Sequence, residues 1–398
     1  MHILFVGKVC PSHTANTIMK ITGKNPGFQI IKFSRLILDG FIHNKMNVNA
    51  LTNIITSTRL VDKSRSEQSN HIHYHYLPYI KLPIIQQVLQ VIYSFCYTLL
   101  WLLRTREEKI IICDIFASSC SMGSVAAARL TNTKKVMLLT DMLVPPATIT
   151  QDTKKWWWKL FFSMRVRSQE QGLKKYDGFI FLTKYMNDIY NPNQKPYIVM
   201  EGAVDSTFTH HLVPKDMTPR IIMYAGAIEA EYGFDTLIQA FMSLSQVDIE
   251  LHIYGEGKFV EKLLEYQNAD HRIKYLGVVT NEQIIAAEQQ ATLLVNPRYT
   301  HQEFVKYSFP SKTSEYMLSG TPVLTTKLPG IPNEYFQHLY TFDEENIEGY
   351  AKKLNEILSI PTQELQEKGV NAQTFVLQHK NNNIQSQRII DFVKTIIE

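Results

Sequence analysis

Cysteine is scarce in this sequence. The four residues, at 10, 96, 113 and 120, include no CxxC pair, so no disulfide scaffold, zinc ribbon or thioredoxin-like site is expected. That usage suits a reducing compartment and points to the cytosol. Long apolar runs are missing too. The longest, Val91 to Leu103, has 13 residues and is interrupted by Ser94 and Thr98. A membrane-spanning helix needs about 20, so this run reads as a core helix. The apolar run behind Met1-His2 is four residues long. It is too short for a secretory h-region and reads as a buried first strand. There is no Walker loop and no internal repeat of solenoid period. Charged residues at 20% and hydrophobic ones at 45% exclude the disordered and collagen-like classes.

What is present is a rhythm of short strand-like runs. Ile3–Gly7, Lys109–Cys113, Val136–Thr140, Gly178–Leu182 and Tyr197–Met200 mark the first half. Arg220–Ala225, Ile249–Tyr254, Ile273–Leu276, Leu293–Asn296 and Pro322–Thr325 mark the second. Helical patterns such as Ser118–Leu130 and Phe234–Ser243 lie between them. Continuous apolar strands alternating with helices predict parallel sheets covered on both faces. A chain of 398 residues holds two such domains. The expected class is therefore α/β, with two Rossmann-like domains facing across a cleft. They span residues 1–205 and 220–379, joined by the polar, proline-containing linker 206–219. The final helix, about 380–398, has the periodicity to pack back on the first domain. Ligands of such sheets bind at the carboxyl ends of the strands.

The net charge of +4 hides an asymmetry. Residues 1–205 hold 25 Lys/Arg against 13 Asp/Glu, which is +12, and the remainder is −8. A basic half suits an anionic surface. Within it, Lys154-Lys155-Trp156-Trp157-Trp158-Lys159-Leu160-Phe161-Phe162 holds three of the four tryptophans. On a helix, Trp156, Trp157 and Phe161 share a face flanked by Lys154 and Lys155. Tryptophan rings and lysine stems suit a bilayer's headgroup layer. The expected anionic partner is thus a membrane surface, not nucleic acid.

Other patterns carry less. His71, His73 and His75 alternate on one strand face. With no carboxylate nearby in sequence, they read as the polar face of an edge strand, and no metal site is expected. Gly255-Glu256-Gly257 begins like GxGxxG, but position 260 is Val. It reads as a tight strand-to-helix turn that can offer N–H groups to a ligand.

The segment from Asn296 to Tyr335 carries the most chemistry. Phe309-Pro310-Ser311 breaks the chain, and Ser311 is placed to cap a helix that carries Lys312 and Glu315 on neighbouring turns. A lysine near a helix N-terminus strengthens an anion site. A glutamate one turn on could accept hydrogen bonds from vicinal hydroxyls. Phosphate and diol together suggest a nucleotide sugar. The same two residues could equally form an i,i+3 pair on a solvated face.

Glu315-Tyr-Met-Leu-Ser-Gly-Thr-Pro-Val resembles the second half of the Glu-x7-Glu motif of GT-B glycosyltransferases, and is similar to family four, the retaining nucleotide-sugar transferases. Tyr224-Ala-Gly-Ala, Gly233-Phe-Asp-Thr-Leu, Tyr254-Gly-Glu-Gly and Leu276-Gly277 follow in the family's order. By this resemblance Glu315 binds the donor ribose, and Gly226, Gly255, Gly257 and Gly277 surround the nucleotide. Two departures stand out. The first Glu of the motif falls at Tyr307, with Glu303 four residues earlier. The family's Arg and Lys for the diphosphate fall at Ala227 and Tyr232. Either phosphate binding has moved, to Lys312, Arg298 or Lys306, or activity is lost. Tyr307-Ser-Phe-Pro-Ser-Lys looks like bacterial capsule and exopolysaccharide transferases.

The resemblance implies a retaining glycosyltransferase that takes a nucleotide sugar as substrate, without cofactor or metal. A lipid-linked glycan acceptor, surface-polysaccharide synthesis and a peripheral position on the inner face of the cell membrane complete the expectation. Asp141, Lys312 and Arg298 are its candidate catalytic residues, and Glu315, Glu303 and Ser311 its side-chain donor contacts. Two rivals share the fold: a sugar-nucleotide epimerase, and a non-catalytic nucleotide-binding subunit.

Overall fold

The computed structural model describes residues 1–22, 27–52, 54, 66–78, 82–142, 171–208 and 218–398, with residues 22, 83 and 84 as backbone alone. The segment Lys154, Lys155, Trp156, Trp157 and Phe161 lies outside the described residues, as does most of 206–219. The chain divides into two units, Met1–Ala203 with Asn382–Glu398, and Val204–Asn381.

In the first unit the strands are β1 (His2–Gly7), β2 (Asn47–Thr52), β3 (Ser66–Ser69), β4 (Ile72–Tyr76), β5 (Lys109–Asp114), β6 (Lys135–Leu139), β7 (Gly178–Phe181) and β8 (Tyr197–Val199). They form one sheet in the order β3-β4-β2-β1-β5-β6-β7-β8. Every pairing is parallel except β3 with β4. The central strands are buried along most of their length because helices cover both faces: β5 is buried from Ile110 to Asp114, and β6 throughout. Ile3 stands beside Val48 and Ile110 in register.

The helix Asn382–Ile397 closes this unit. It crosses the helix Phe28–His43 at Gly40, where a Cβ would stand 2.3 Å from the Asn382 carbonyl oxygen. The crossing is pinned by polar bonds. Ser386 Oγ donates to the Ile37 carbonyl at 2.9 Å, and Asn382 Nδ2 to that of Leu36 at 3.2 Å.

Two expectations change here. The run from Val91 to Leu103 lies in the helix Pro83–Arg104, and this helix is buried on one side only. Ser94 and Thr98 turn inward: Thr98 Oγ1 and Ser124 Oγ are 2.9 Å apart, on the facing helix Ser118–Leu130. Aliphatic side chains turn outward. Nor is the histidine strand an edge. β4 has β3 beyond it, and His75 packs between Tyr93 and Tyr97 with its Nε2 2.7 Å from the Tyr93 hydroxyl. Packing, not solvent, holds that ring.

The second unit is a parallel sheet, in the order β11-β10-β9-β12-β13-β14. Its strands are β9 (Arg220–Ala227), β10 (Ile249–Glu256), β11 (Ile273–Gly277), β12 (Leu293–Asn296), β13 (Val323–Thr325) and β14 (Tyr340–Thr341). Its core joins strand residues Ile222, Leu251, Ile253 and Val295 to Phe234, Leu237 and Phe241 of the helix Phe234–Met242 and to Tyr350 and Leu354 of the helix Ile347–Leu358.

Candidate functional site

The sequence's candidate donor residues lie at or just after the carboxyl ends of β9, β10, β11 and β12 in the second unit. β9 and β10 run in register from Arg220 and Ile249 to Ala227 and Glu256. Their tips approach so closely that side chains are excluded. At Gly255, with φ of 126°, a Cβ would lie 1.8 Å from the Gly226 carbonyl oxygen, and at Gly257 it would lie 2.1 Å from that of Ile228. Gly277 ends β11 with φ of 68°.

The loop after β12 is held to two helices, Ile347–Leu358 and Phe234–Met242. Tyr350 donates to the Pro297 carbonyl at 3.0 Å, and Thr236 Oγ1 lies 2.6 Å from the Tyr299 hydroxyl. This junction sets Arg298 over the ring of Tyr232, guanidinium carbon to ring centroid 4.1 Å, with Phe304 at 5.8 Å. The Arg298 carbonyl accepts a bond from Thr326 Oγ1. A cation from the β12 loop therefore occupies the neighbourhood of Tyr232, where the resemblance expects a lysine on the β9 loop. Stacking on an aromatic face orients a guanidinium while leaving its N–H donors in plane for an anion.

The helix Ser311–Leu318 supplies the other charges. Lys312 Nζ is 3.1 Å from Glu315 Oε2, both side chains partly exposed. Burial alone would lower the lysine's pKa. The Glu315 and Glu288 carboxylates outweigh it and hold the ammonium above its ordinary value. Lys312 is thus a retained cation, already engaged by the carboxylate expected to bind ribose. Tyr316, fully buried, anchors this helix to β9, donating to the Ala225 carbonyl at 3.1 Å and lying 2.7 Å from its N–H.

Ser311 does not cap the helix. The capping position is Pro310, with no side-chain cap bond, and Ser311 is the exposed first helical residue. Proline already has a fixed φ, so the helix starts directly behind it. Glu303 is exposed on the short 3-10 segment Glu303–Lys306, and Tyr307 follows half-buried.

Four buried side-chain atoms of this segment lack a hydrogen-bond partner among the described residues: Asn296 Nδ2, Ser308 Oγ, Thr313 Oγ1 and Thr325 Oγ1. Asn296 and Thr325 face each other in register at the tips of β12 and β13. Buried polar atoms are normally satisfied, so these four are exceptions within a well-packed segment. Among the described residues, no group of three or more His, Cys, Asp and Glu side chains is arranged to hold a metal ion.

In the first unit Asp141 is exposed beyond the end of β6, its Oδ1 accepting the Met142 N–H at 2.7 Å. A second carboxyl escaped the sequence reading. Asp114 ends β5, is 1% exposed, and accepts from the N–H groups of Phe116 at 3.3 Å and Lys8 at 3.5 Å. Burial pushes its pKa up to about 7. Its position as the acid that ends a buried strand was the available signal.

Comparisons with known proteins bear on these features. Residues 206–374 match the family described as Glycosyl transferases group 1. No curated protein matches the chain by sequence. Three solved structures share the fold over nearly the whole length. Sucrose-phosphate synthase from Thermosynechococcus elongatus has 13% identity and a TM-score of 0.66, covering 100% of this chain and 99% of its own. Anabaena HepE, in complex with UDP and glucose, has 14% identity and a TM-score of 0.63, covering 99% and 100%. The lipopolysaccharide outer core galactosyltransferase WaaB, in its apo form, has 14% and 0.59, covering 99% of each chain. Two parallel-sheet Rossmann-like domains are the GT-B fold.

Proposed function

We propose that this chain, a glycosyltransferase of the GT-B fold, moves a sugar from a nucleotide-sugar donor to a lipid-linked glycan in bacterial surface-polysaccharide synthesis, with retention of configuration. The observation that carries the donor half is the placing of Arg298 over Tyr232 beside the β9 loop, with Lys312 and Glu315 on the helix that Tyr316 anchors to β9. The region lies inside the glycosyl transferases group 1 match. The UDP and glucose of the HepE complex support a nucleotide-sugar donor.

In this reading the donor diphosphate lies against the Arg298 guanidinium and the Lys312 ammonium. Glu315 exchanges part of its bond to Lys312 for the ribose hydroxyls. As the glycosidic bond to the diphosphate breaks, negative charge grows on the leaving oxygen. Fixed cations and backbone N–H groups lower that barrier; the acceptor hydroxyl oxygen bonds to the anomeric carbon and its proton passes to the departing diphosphate oxygen, so no protein base is required. The acceptor is assigned to the first unit, with Asp141 as a residue that positions it. The enzyme works without metal or cofactor, on the cytoplasmic face of the membrane, to which the +12 half is attracted.

A screen with labelled UDP-, GDP- and dTDP-sugars tests the donor assignment. One class should be hydrolysed slowly without acceptor. Conversion of the donor to an epimer would favour the isomerase instead, and no reaction with any donor would favour the non-catalytic subunit.

A further inference from the structure

The helix Pro83–Arg104 presents a face that the other described residues leave uncovered. Ile85, Val88, Ile92, Leu100 and Leu103 are each between 48% and 66% exposed. Their spacing of three, four, eight and three residues keeps them on one side of the helix. Exposed Cys96 continues the line between Ile92 and Leu100. At 1.5 Å per residue the stripe is about 27 Å long. No charged residue occurs from Leu82 to Leu103. The segment Ile85–Arg104 has the length and composition of a membrane span, yet only 28% of it is buried.

The helix cannot leave the fold to cross a bilayer. Its inner side meets the helix Ser118–Leu130 at Gly123, where a Cβ would stand 2.2 Å from both Ser94 Oγ and the Val91 carbonyl oxygen. Trp101 Nε1 also donates to Asn49 Oδ1 of β2 at 3.1 Å. The outer face alone is available. This is the arrangement of a helix lying in an interface plane, not through it.

We propose that this face is inserted into the headgroup and upper acyl region of an anionic bilayer. Two observations favour a bilayer over a second copy of the chain. A symmetric pair would bring together two halves that each carry +12, a charge that repels its like and is drawn to anionic lipid. The stripe is also small. Five half-exposed aliphatic side chains offer roughly half of the about 800 Å² per partner that a stable dimer buries. The inference rests on the membrane placement of the acceptor proposed above, and supplies the apolar contact it needs.

Cys96 provides the test, because the other three cysteines are buried. The full chain is labelled there with an environment-sensitive thiol fluorophore and mixed with phosphatidylcholine vesicles, with or without phosphatidylglycerol. The emission should shift to the blue on the anionic vesicles as the protein co-sediments with them. Unlabelled Ile92→Glu/Leu100→Glu protein should bind about a hundredfold more weakly, about tenfold per site. Co-sedimentation without a blue shift, or a folded double variant that binds like the wild type, overturns this face as the contact. No binding by unmodified wild type overturns the membrane reading itself. A wild-type dimer in sedimentation velocity that the double substitution turns into a monomer, with vesicle binding unchanged, assigns the face to a second copy instead.

Discussion

Arg298 lies over the ring of Tyr232, 4.1 Å from guanidinium carbon to ring centroid, although 66 residues separate them in sequence. The contact places a permanent cation beside the β9 loop, whose own positions 227 and 232 are not basic. Arg298→Ala should lower turnover about 10²–10³-fold, the cost of removing one stabilising group from a developing oxyanion. Arg298→Lys should recover only part of this, since an ammonium lacks the planar fork that stacks. Steady-state kinetics with a saturating donor measure both. Near-normal turnover of the alanine variant would take Arg298 out of the site.

Lys312 should behave differently from Glu315. The lysine's charge matters most as the diphosphate departs, so Lys312→Ala should reduce turnover more than donor affinity. Separate determination of Kd and kcat checks the split.

Glu315→Ala removes the expected partner of the ribose hydroxyls. Nucleotide affinity by calorimetry should fall by about 1.5–3 kcal/mol, in a folded protein because the side chain is partly exposed. An unchanged affinity would mean that the Lys312–Glu315 pair is only a surface i,i+3 bridge.

Asp114 should tie stability to pH. Its pKa rises from 3.8 to about 7 on folding. Between those values the folded state holds a proton that the unfolded state has lost, so stability falls as pH rises. The penalty begins above the unfolded value and is complete above the folded one. Asp114→Asn keeps an acceptor for Phe116 and Lys8 but cannot ionise. Its Tm should gain on the wild type between pH 4 and 8, and parallel melting curves across that range would refute the burial argument.

Gly255→Ala should perturb the donor loops directly. The left-handed φ and the 1.8 Å approach to the Gly226 carbonyl oxygen force the tips of β9 and β10 apart. Both stability and nucleotide affinity should drop, as a thermal melt and a titration would show.

Much of this architecture was legible because central parallel strands are apolar runs that end in glycine or an acid. β5 with Asp114 and β9 with Gly226 follow that rule, while β10 alternates Glu250 and His252 with apolar residues before Gly255. β3, with the sequence SEQS, was not legible, since an edge strand needs no apolar face. Ser311 read as a cap by residue type, whereas the backbone of Pro310 settled where the helix begins. The exposed face of the helix Pro83–Arg104 was hidden for another reason: the same apolar periodicity describes a core helix and one that meets lipid. The meeting of Arg298 with Tyr232 depends on contacts between two loops, for which local sequence offers no signal.

The most direct measurement is transfer itself. The enzyme is incubated with labelled nucleotide sugars and a bacterial membrane lipid extract, and label is followed into the organic phase. Lipid-soluble label that appears with wild type, needs the extract, and falls by two orders of magnitude or more with Arg298→Ala is the expected result. Donor consumed at equal rates with and without extract, or label that never leaves the nucleotide, would contradict glycosyl transfer to a lipid-linked acceptor.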